Sequence, residues 1–389
     1  MDKVRVGVIG LGNMGSFHTS YMNSMPGASL GAVCDVDPAK LAKFVEKYNC
    51  AGFATYQELI ASKTCDAVLI ATPHYDHPPI AEAALAAGLH VLSEKPIGVT
   101  VGSARKLNAT AAKYPHLKFG IVFQNRMNPV FRKMKELISS GELGEVTRVT
   151  WLITDWFRTW TYYASGGWRA TWAGEGGGVL INQCPHNLDL LQWITGLMPN
   201  RVTAVASLGK THPIEVEDEV SAILEYPNGA IGHFVTSSGE APGTNRLEIC
   251  GDHGKLIAEH GKLTFVRTRQ NVRDLRENSP QAFVSTENWT IELPINKSDF
   301  GEMHKSVTEK FVGAILRNES MVADGVEGVK GLEIGNAMLL SGVKRRSVTL
   351  PLDDNEYEEF IKELAKTYGG KKTLKAKAGA SVDLMASTK

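Results

Sequence analysis

The sequence predicts an α/β protein: a doubly wound parallel sheet, followed by an α+β domain whose sheet is mostly antiparallel. Three observations carry this prediction. A glycine-rich turn joins the first strand to the first helix, short apolar strands then alternate with helices, and from Asn128 onward strands follow one another with few helices between them. At 389 residues the chain is long enough for two domains. We place them at residues 1–125 and 126–369, followed by an extended tail over 370–389.

The N-terminal domain is organised around its first strand and the turn that follows. The apolar strand Val4–Ile9 runs directly into the turn Gly10–Gly15, which has the spacing G-x-G-x-x-G and leads into a helix. Here Gly10 allows a tight turn, Gly12 leaves no Cβ between the backbone and a pyrophosphate, and Gly15 lets the helix lie close on the strand. The helix N-terminus also attracts phosphates. The residues that we assign to a dinucleotide are Gly10, Gly12, Asn13, Met14 and Gly15.

The second strand indicates which dinucleotide is bound. Leu30–Cys34 ends at Asp35, where a carboxylate can accept hydrogen bonds from the ribose diol of adenosine and would repel a 2′-phosphate. No Arg or Lys directly follows Asp35. We therefore predict NAD rather than NADP as the cofactor. We interpret Asp37, beside Pro38, as a solvated turn residue.

The remainder of the N-terminal domain continues the alternation of strands and helices. Helices are predicted over residues 39–48, 56–61, 78–87 and 101–113, and strands over 53–54, 66–71, 90–93 and 118–123. In doubly wound sheets, ligands bind beyond the carboxyl ends of the strands. Thr72, Lys95 and Gln124 fall at such ends and are candidate site residues.

The C-terminal domain is predicted to begin with a helix over residues 128–140. Its strands are predicted over 146–153, 201–206, 219–226, 230–236, 246–250, 255–258, 263–267 and 289–293. One long helix, Gly178–Thr195, precedes most of these strands, and two more, Met303–Arg317 and Val326–Leu340, follow them.

The composition argues against several classes of function. Lys plus Arg and Asp plus Glu both number 42, so no excess charge supports binding to nucleic acid or to a membrane surface. No apolar run is long enough to span a membrane, and no apolar segment near the start is typical of a signal peptide. The five cysteines are odd in number and lack C-x-x-C spacing, which indicates reduced thiols in a cytoplasmic protein, without a disulfide framework or zinc site.

Four short motifs occur in order along nearly the whole chain. They are Gly10–Gly15; Ala71-Thr72-Pro73 with His77; Glu94-Lys95-Pro96; and Gly176-Gly177-Gly178 leading to His186. With these motifs the chain resembles the glucose–fructose oxidoreductase/inositol dehydrogenase (Gfo/Idh/MocA) family. The resemblance implies a Rossmann domain followed by an α/β domain whose open sheet often forms an oligomer interface, and hence a homodimer or homotetramer. It implies cofactor contacts from Ala71, Thr72, Pro73, His77, Glu94, Lys95, Gln124, Trp168 and Arg169.

The resemblance also implies an activity, the transfer of a hydride between NAD and a secondary hydroxyl of a sugar, polyol or glycoside. This oxidation needs a hydride acceptor beside the carbinol carbon and a base on the hydroxyl. Lys95, at a strand end beside Pro96, can bind the nicotinamide ribose and the reacting oxygen and favour a developing alkoxide. In the family this lysine is catalytic; without the resemblance, a surface lysine at a strand end is the alternative.

A second catalytic residue is predicted on the helix after the three glycines. There Asn182 and His186 are four residues apart and would share one helical face. The family has Asp where this chain has Asn182, and an amide can neither take a proton nor stabilise an imidazolium. We therefore assign His186 as the base and Asn182 as a substrate-positioning residue. Asp189 is either the missing carboxylate or an exposed helix acid, and we favour the exposed acid.

The most aromatic segment of the chain runs over residues 155–172 and contains four of the seven tryptophans. It is punctuated by glycine and not periodic, so we predict a long loop that lines the cleft. Aromatic faces stack on the apolar faces of sugars, and Arg169 can bind a hydroxyl, carboxylate or sulfonate. We assign Tyr163, Trp168 and Arg169 to the substrate, with Trp168 and Arg169 also near the nicotinamide. The alternative is a buried aromatic cluster.

Other interpretations remain open from the sequence. His74 and His77 lie three residues apart but lack a third ligand, so we predict no metal site. A glycosidase that retains NAD and works by transient oxidation and elimination would use the same fold. A non-catalytic protein that senses NAD or a sugar is the third possibility, and Asn182 in place of Asp keeps both alternatives open.

Overall fold

The computed structural model describes residues 2–296 and 299–375, and its N-terminal part is a six-stranded parallel sheet. The strands are β1 (Val4–Ile9), β2 (Ala28–Cys34), β3 (Ala51–Phe53), β4 (Ala67–Ile70), β5 (His90–Ser93) and β6 (Phe119–Ile121). They lie in the order β3-β2-β1-β4-β5-β6, which confirms the doubly wound parallel sheet. The strand order reverses between β1 and β4, so a ligand crevice is expected beyond the carboxyl ends of these two strands.

Helices connect the parallel strands as predicted. They are α1 (Asn13–Met22), α2 (Pro38–Tyr48), α3 (Tyr56–Ala61), α4 (His77–Ala86) and α5 (Val101–Ala111). Local sequence explains where several of them begin. Asp37 caps α2 by accepting hydrogen bonds from the backbone N–H groups of Ala39 and Lys40. Thr55 and Glu58 form a capping box at the start of α3.

The C-terminal part contains a nine-stranded sheet. Its strands are β7 (Val146–Ile153), β8 (Arg201–Leu208), β9 (Glu217–Glu225), β10 (Ile231–Ser237), β11 (Asn245–Gly251), β12 (Gly254–Glu259), β13 (Lys262–Thr268), β14 (Asn288–Leu293) and β15 (Val348–Thr349). They lie in the order β14-β13-β12-β11-β7-β10-β9-β8-β15. Within the described residues β7 pairs with β10 in parallel and the other neighbouring strands of this sheet pair antiparallel, which confirms the predicted mostly antiparallel sheet.

Seven further α-helices follow β6 in the described residues: α6 (Pro129–Ser139), α7 (Trp160–Ala164), α8 (Pro185–Thr195), α9 (Val272–Asn278), α10 (Phe300–Arg317), α11 (Gly328–Lys344) and α12 (Asp354–Tyr368). Apolar residues of α8 and α11 share one buried core with the sheet. α10 instead packs on the parallel sheet, because Phe311 and Val312 belong to the same core as Val4 and Val6 of β1. The chain thus returns to the N-terminal sheet after residue 300.

The structure corrects the helix predicted over Gly178–Thr195, because α8 begins only at Pro185. Pro185 occupies the first turn of α8, where its missing N–H has no partner to lose. The preceding residues form turns, and the buried carboxylate of Glu217 accepts hydrogen bonds from the N–H groups of Gly178 (2.9 Å) and Leu180 (3.1 Å). These bonds attach the turns to β9, and Asn182 lies before α8 and shares no helical face with His186.

Two further helices, α11 and α12, also differ from the prediction. α12 was missed, although Tyr357, Phe360 and Leu364 form a buried apolar stripe on it. α11 begins two residues later than predicted and runs on to Lys344. The predicted tail over 370–389 is described only to residue 375, and the rest lies outside the described residues. Within the described residues no helix is both long and apolar enough to cross a bilayer.

Candidate active site

The three glycines of the turn after β1 differ in their surroundings: two are packed against the backbone, and the third lies beside open space. A Cβ on Gly10, whose φ is +89°, would lie 2.6 Å from the carbonyl oxygen of Ala71, and one on Gly15 would lie 1.7 Å from that of Gly10. Both glycines are therefore required by close backbone packing. A Cβ on Gly12 would meet no heavy atom within 4 Å. The open space over Gly12, at the N-terminus of α1, is where the predicted pyrophosphate would fit.

Asp35 lies against this turn at the end of β2. Its carboxylate accepts hydrogen bonds from the backbone N–H of Leu11 (2.7 Å) and Asp37 (2.9 Å), and Nζ of Lys40 is 3.5 Å away. The structure thus brings the predicted ribose acceptor and the predicted phosphate turn together. Asp37 is exposed and caps α2, consistent with the turn residue expected from the sequence.

The turns after β4 and β5 are held together by His77. Its ring lies between the carbonyl oxygens of Pro96 (2.7 Å from Nδ1) and Thr72 (2.8 Å from Nε2). Both nitrogens therefore face protein carbonyl oxygens, and the ring fixes the position of the segment that carries Lys95. His77 supports the predicted cofactor site from beneath these turns. In the described residues no group of His, Cys, Asp and Glu is arranged to hold a metal ion.

Glu94 is a buried anion behind Lys95. Its Oε1 is 2.8 Å from Nε2 of His18 on α1, and its Oε2 accepts the backbone N–H of Lys95 at 3.2 Å. Burial alone would raise the pKa of Glu94, but the hydrogen bond and charge of His18 outweigh burial and lower it to about 2. Glu94 therefore ties the end of β5 to α1.

Lys95 points into the space between the two parts of the chain. Its Nζ donates a hydrogen bond to the main-chain carbonyl of Asn182 at 2.9 Å. Burial lowers the pKa of Lys95, while the carboxylates of Glu94 and Glu175 oppose that effect. An ammonium held in this way can still donate to a substrate oxygen, because Lys has three donors.

His186 lies in the first turn of α8 and is buried. Its Nε2 accepts a hydrogen bond from Nε2 of Gln124 at 2.9 Å. Burial, and then the charge of Lys95, lower the pKa of His186 well below its ordinary value. The imidazole is therefore neutral near pH 7, which is the form that can accept a proton.

Asp189 is not the exposed helix acid that we favoured from the sequence. It is fully buried, and its carboxylate accepts two hydrogen bonds from Arg126, at 2.8 Å from Nε and 2.6 Å from Nη2. This pair joins α8 to the segment that follows β6. The carboxylate of Asp189 is thus used by Arg126, and it does not stand in for the missing acid.

In the aromatic segment the side chains of Trp168 and Arg169 lie together, whereas that of Tyr163 points away from them. Arg169 donates to the hydroxyl of Tyr162 (2.7 Å) and stacks over the rings of Tyr162 and Trp168. Trp168 also lies 5.8 Å from the ring of His74, measured between centroids. Tyr163 is buried, and its hydroxyl bonds to Ser238. Both tyrosines belong to the short helix α7, whose consecutive residues point in different directions.

The sequence reasoning missed Glu175, Tyr162 and Gln183. Glu175 is a buried carboxylate that accepts hydrogen bonds from the side chain of Asn182 and from the backbone N–H of Ala170. Tyr162 and Gln183 each bond to the side-chain oxygen of Asn182 at 3.2 Å. One signal was available in the sequence: Glu175 directly precedes the glycine motif Gly176-Gly177-Gly178.

Unsatisfied polar atoms are concentrated at this site. Among the described residues, twelve buried side-chain atoms lack a hydrogen-bond partner, and six belong to site residues or their neighbours: Thr72 Oγ1, Gln124 Oε1, Arg169 Nε, Gln183 Oε1, His186 Nδ1 and Asn187 Oδ1. Buried polar groups are normally paired, so a cluster of unpaired ones indicates space for a polar ligand. Together with the open space over Gly12, these atoms fit a bound dinucleotide and substrate.

The fold and the site together define an NAD-binding oxidoreductase, and comparisons with known proteins agree. Residues 4–119 match a family model described as "Oxidoreductase family, NAD-binding Rossmann fold", and residues 131–257 match the "GFO/IDH/MocA C-terminal domain". The chain belongs to the Gfo/Idh/MocA family.

Relatives with assigned names cover most of the chain. Inositol 2-dehydrogenase of Rhizobium meliloti is 24% identical over 89% of this chain and 99% of its own length. Levoglucosan dehydrogenase of Pseudarthrobacter phenanthrenivorans is 25% identical over 90% of this chain and 99% of its own. Among solved structures, the WlbA dehydrogenase of Bordetella pertussis in complex with NADH and UDP-GlcNAcA is 25% identical and has a TM-score of 0.75, with 90% of this chain and 100% of that one covered.

Proposed function

We propose that this protein oxidises a secondary hydroxyl of a sugar, cyclic polyol or glycoside with NAD, in the cytoplasm. The observation that carries the proposal is that the half-buried Lys95, at the end of β5, lies close enough to the neutral His186, in the first turn of α8, to lower its pKa, in a fold whose glycine turn suits a dinucleotide. The names of the relatives, inositol 2-dehydrogenase and levoglucosan dehydrogenase, support cyclic polyols and anhydrosugars as first candidates.

Each group of the site has a defined task in this mechanism. When bound, NAD supplies the hydride acceptor, and Gly12 and Asp35 hold its phosphates and ribose. The ammonium of Lys95 donates a hydrogen bond to the substrate oxygen and stabilises negative charge that develops there. The neutral His186 takes the hydroxyl proton at Nε2, the nitrogen that accepts a hydrogen bond from Gln124, when the substrate hydroxyl takes the place of that amide. Trp168 and Arg169 bind the substrate and help to exclude water from it.

The proposal is tested by following NADH formation by absorbance. The purified protein is mixed with NAD, or separately with NADP, and with inositols, hexoses, pentoses, anhydrosugars and aryl glycosides. Turnover with NAD supports the proposal and identifies the substrate class. Release of an aglycone without accumulation of NADH would instead indicate an NAD-retaining glycosidase. Binding of NAD without turnover on the whole panel would indicate a sensing protein.

Asp35→Asn is expected to weaken the preference for NAD over NADP. The amide keeps an oxygen for the N–H of Leu11 but loses the charge that binds the ribose diol and repels a 2′-phosphate. We expect the ratio of kcat/KM for NAD to that for NADP to fall by roughly 10- to 100-fold, the value of about one hydrogen bond to a charged group. Asp37→Asn, which changes only the cap of α2, is the matched control and should leave the ratio unchanged.

Self-association is expected through the outer face of the nine-stranded sheet. Val205, Ile223 and Ile231 lie on the same face of the adjacent strands β8, β9 and β10 and are 50%, 46% and 41% exposed. Exposed apolar residues grouped on a sheet face are typical of a protein interface. We expect Ile223→Glu to convert a dimer or tetramer to monomers in analytical ultracentrifugation, while Val326→Glu, at an exposed position outside the sheet, leaves the assembly intact. A wild-type protein that sediments as a monomer would refute this interface.

A further inference from the structure

We infer that Glu175 is a positioning residue for Lys95: its buried carboxylate holds the Lys95 amine in the charged form and acts through Asn182 and Arg169. The inference rests on the proposed function for its catalytic meaning. The effect of Glu175 on the charge of Lys95 does not depend on that function and can be measured without turnover.

The carboxylate of Glu175 is surrounded by hydrogen-bond donors. Its Oε2 accepts the backbone N–H of Ala170 at 2.6 Å, and its Oε1 accepts the side-chain amide of Asn182. Nη1 of Arg169 lies 3.6 Å from the same Oε1. Burial raises the pKa of Glu175, but Arg169 and these donors oppose that effect. Burial has the larger effect, so the pKa of Glu175 lies above its ordinary value, while each of these donors stabilises the ionised carboxylate.

Asn182 connects this anion to the lysine. Its main-chain carbonyl accepts the hydrogen bond from Nζ of Lys95, and its side-chain amide donates to Glu175. One residue therefore contacts both charges. Moving Glu175 or removing its charge changes the orientation of Asn182 and the field at Lys95 together. The side chain at position 182 is neutral in this chain, and the negative charge lies on its neighbour.

The other charged or titratable groups near Lys95 do not replace Glu175. Glu94 also favours the ammonium, but its Oε1 is already hydrogen-bonded to His18. Arg169 opposes the ammonium. Burial lowers the pKa of His186 and His74 and raises that of the Cys184 thiol to about 12, so these three are neutral near pH 7. Without the charge of Glu175, Glu94 would be the one carboxylate left to favour the Lys95 ammonium, against burial and the positive charge of Arg169.

The first test measures the ionisation of Lys95 directly. The full-length protein is acetylated with trace acetic anhydride across a range of pH, and the extent of labelling at Lys95 is measured by mass spectrometry. We expect Glu175→Gln to move the labelling midpoint of Lys95 to lower pH by roughly one pH unit, as for the loss of one nearby charge. Glu215→Gln is the matched control. It neutralises another buried glutamate, which accepts hydrogen bonds from Trp172 and Gly370 and is not among the groups that act on Lys95.

A double variant that exchanges the two side chains keeps the test usable if the single variant does not fold. In Glu175→Gln/Asn182→Asp the carboxylate and the amide exchange places, so the buried charge and the paired side chains are kept. We expect this double variant to return the midpoint of Lys95 to within a few tenths of a pH unit of wild type. A midpoint that is unchanged in Glu175→Gln, or one that shifts equally in Glu215→Gln, would overturn the inference. If Glu175→Gln does not fold, failure of the double variant to keep the wild-type midpoint would overturn it.

The second test uses the activity. Because the ammonium of Lys95 is the form that donates to the substrate oxygen, the fall of kcat on the alkaline side should begin at lower pH in Glu175→Gln. If no variant, including wild type, turns over any substrate, the proposed function fails while the labelling result still decides the role of Glu175.

Discussion

Replacing Lys95 by methionine should lower kcat/KM by about 1,000-fold or more, while the affinity for NAD falls by only about tenfold or less, the value of one hydrogen bond to the nicotinamide ribose. Methionine keeps an unbranched apolar stem of similar length but removes the ammonium that donates to the substrate oxygen. Loss of one such donor costs about 100- to 1,000-fold, and loss of a group that also assists proton transfer costs about 100- to 10,000-fold. Initial rates give kcat/KM, and calorimetric titration gives the dissociation constant for NAD.

The control for this variant is Lys106→Met, which removes an exposed lysine paired with Glu82. It should leave both kcat/KM and NAD affinity unchanged, since exposed ion pairs contribute little. Near-normal turnover in Lys95→Met would remove Lys95 from the mechanism. A parallel loss of NAD affinity and of thermal stability would instead show that the lysine is needed for the structure of the site.

The position of Lys95 was predictable because it depends on local order along the chain. Apolar strands bounded by turns fix the carboxyl ends of a parallel sheet, and Lys95, Thr72 and Gln124 all follow such strands. The glycine turn was predictable for the same reason, since strand, turn and helix are contiguous in sequence. The structure adds that Gly10 and Gly15 are required by backbone packing, whereas Gly12 lies next to open space.

The surroundings of Asn182 could not be predicted, because they depend on contacts between distant segments. The helix predicted to carry Asn182 begins only at Pro185, and the turns that carry Asn182 are held to β9 by hydrogen bonds from Gly178 and Leu180 to Glu217. Periodicity contains no information about a carboxylate that lies dozens of residues away. The same holds for Asp189, whose partner Arg126 lies 63 residues earlier in the chain.

Tyr162 and Tyr163 show a further limit of sequence reasoning. The sequence does not distinguish two adjacent tyrosines in an irregular aromatic segment. In the structure the short helix α7 directs Tyr162 toward Arg169 and Tyr163 toward Ser238. Glu175 was overlooked for a different reason. A glutamate before a run of glycines suggests an exposed turn, but the fold closes over it and leaves it 1% exposed.

Gly12 lies beside open space, whereas Gly15 is packed against the backbone. We therefore expect opposite effects when each is replaced by alanine. Gly12→Ala should leave the thermal midpoint of unfolding within about 2 °C of wild type, because its Cβ meets no atom and its φ of −64° suits any residue. The affinity for NAD should fall by about tenfold or more, equivalent to about 1.4 kcal/mol, because the methyl group enters the space of the phosphates.

Gly15→Ala should instead damage the fold. Its Cβ would lie 1.7 Å from the carbonyl oxygen of Gly10, and both atoms belong to the backbone or are fixed to it, so β1 and α1 must separate. We expect a loss of about 1–3 kcal/mol or more in the free energy of unfolding, as for other overpacked sites, with weaker NAD binding as a consequence. Thermal denaturation and calorimetric titration on both variants separate the two effects. Unchanged NAD affinity in Gly12→Ala would place the phosphates elsewhere and would remove the strongest structural reason for a dinucleotide at this turn.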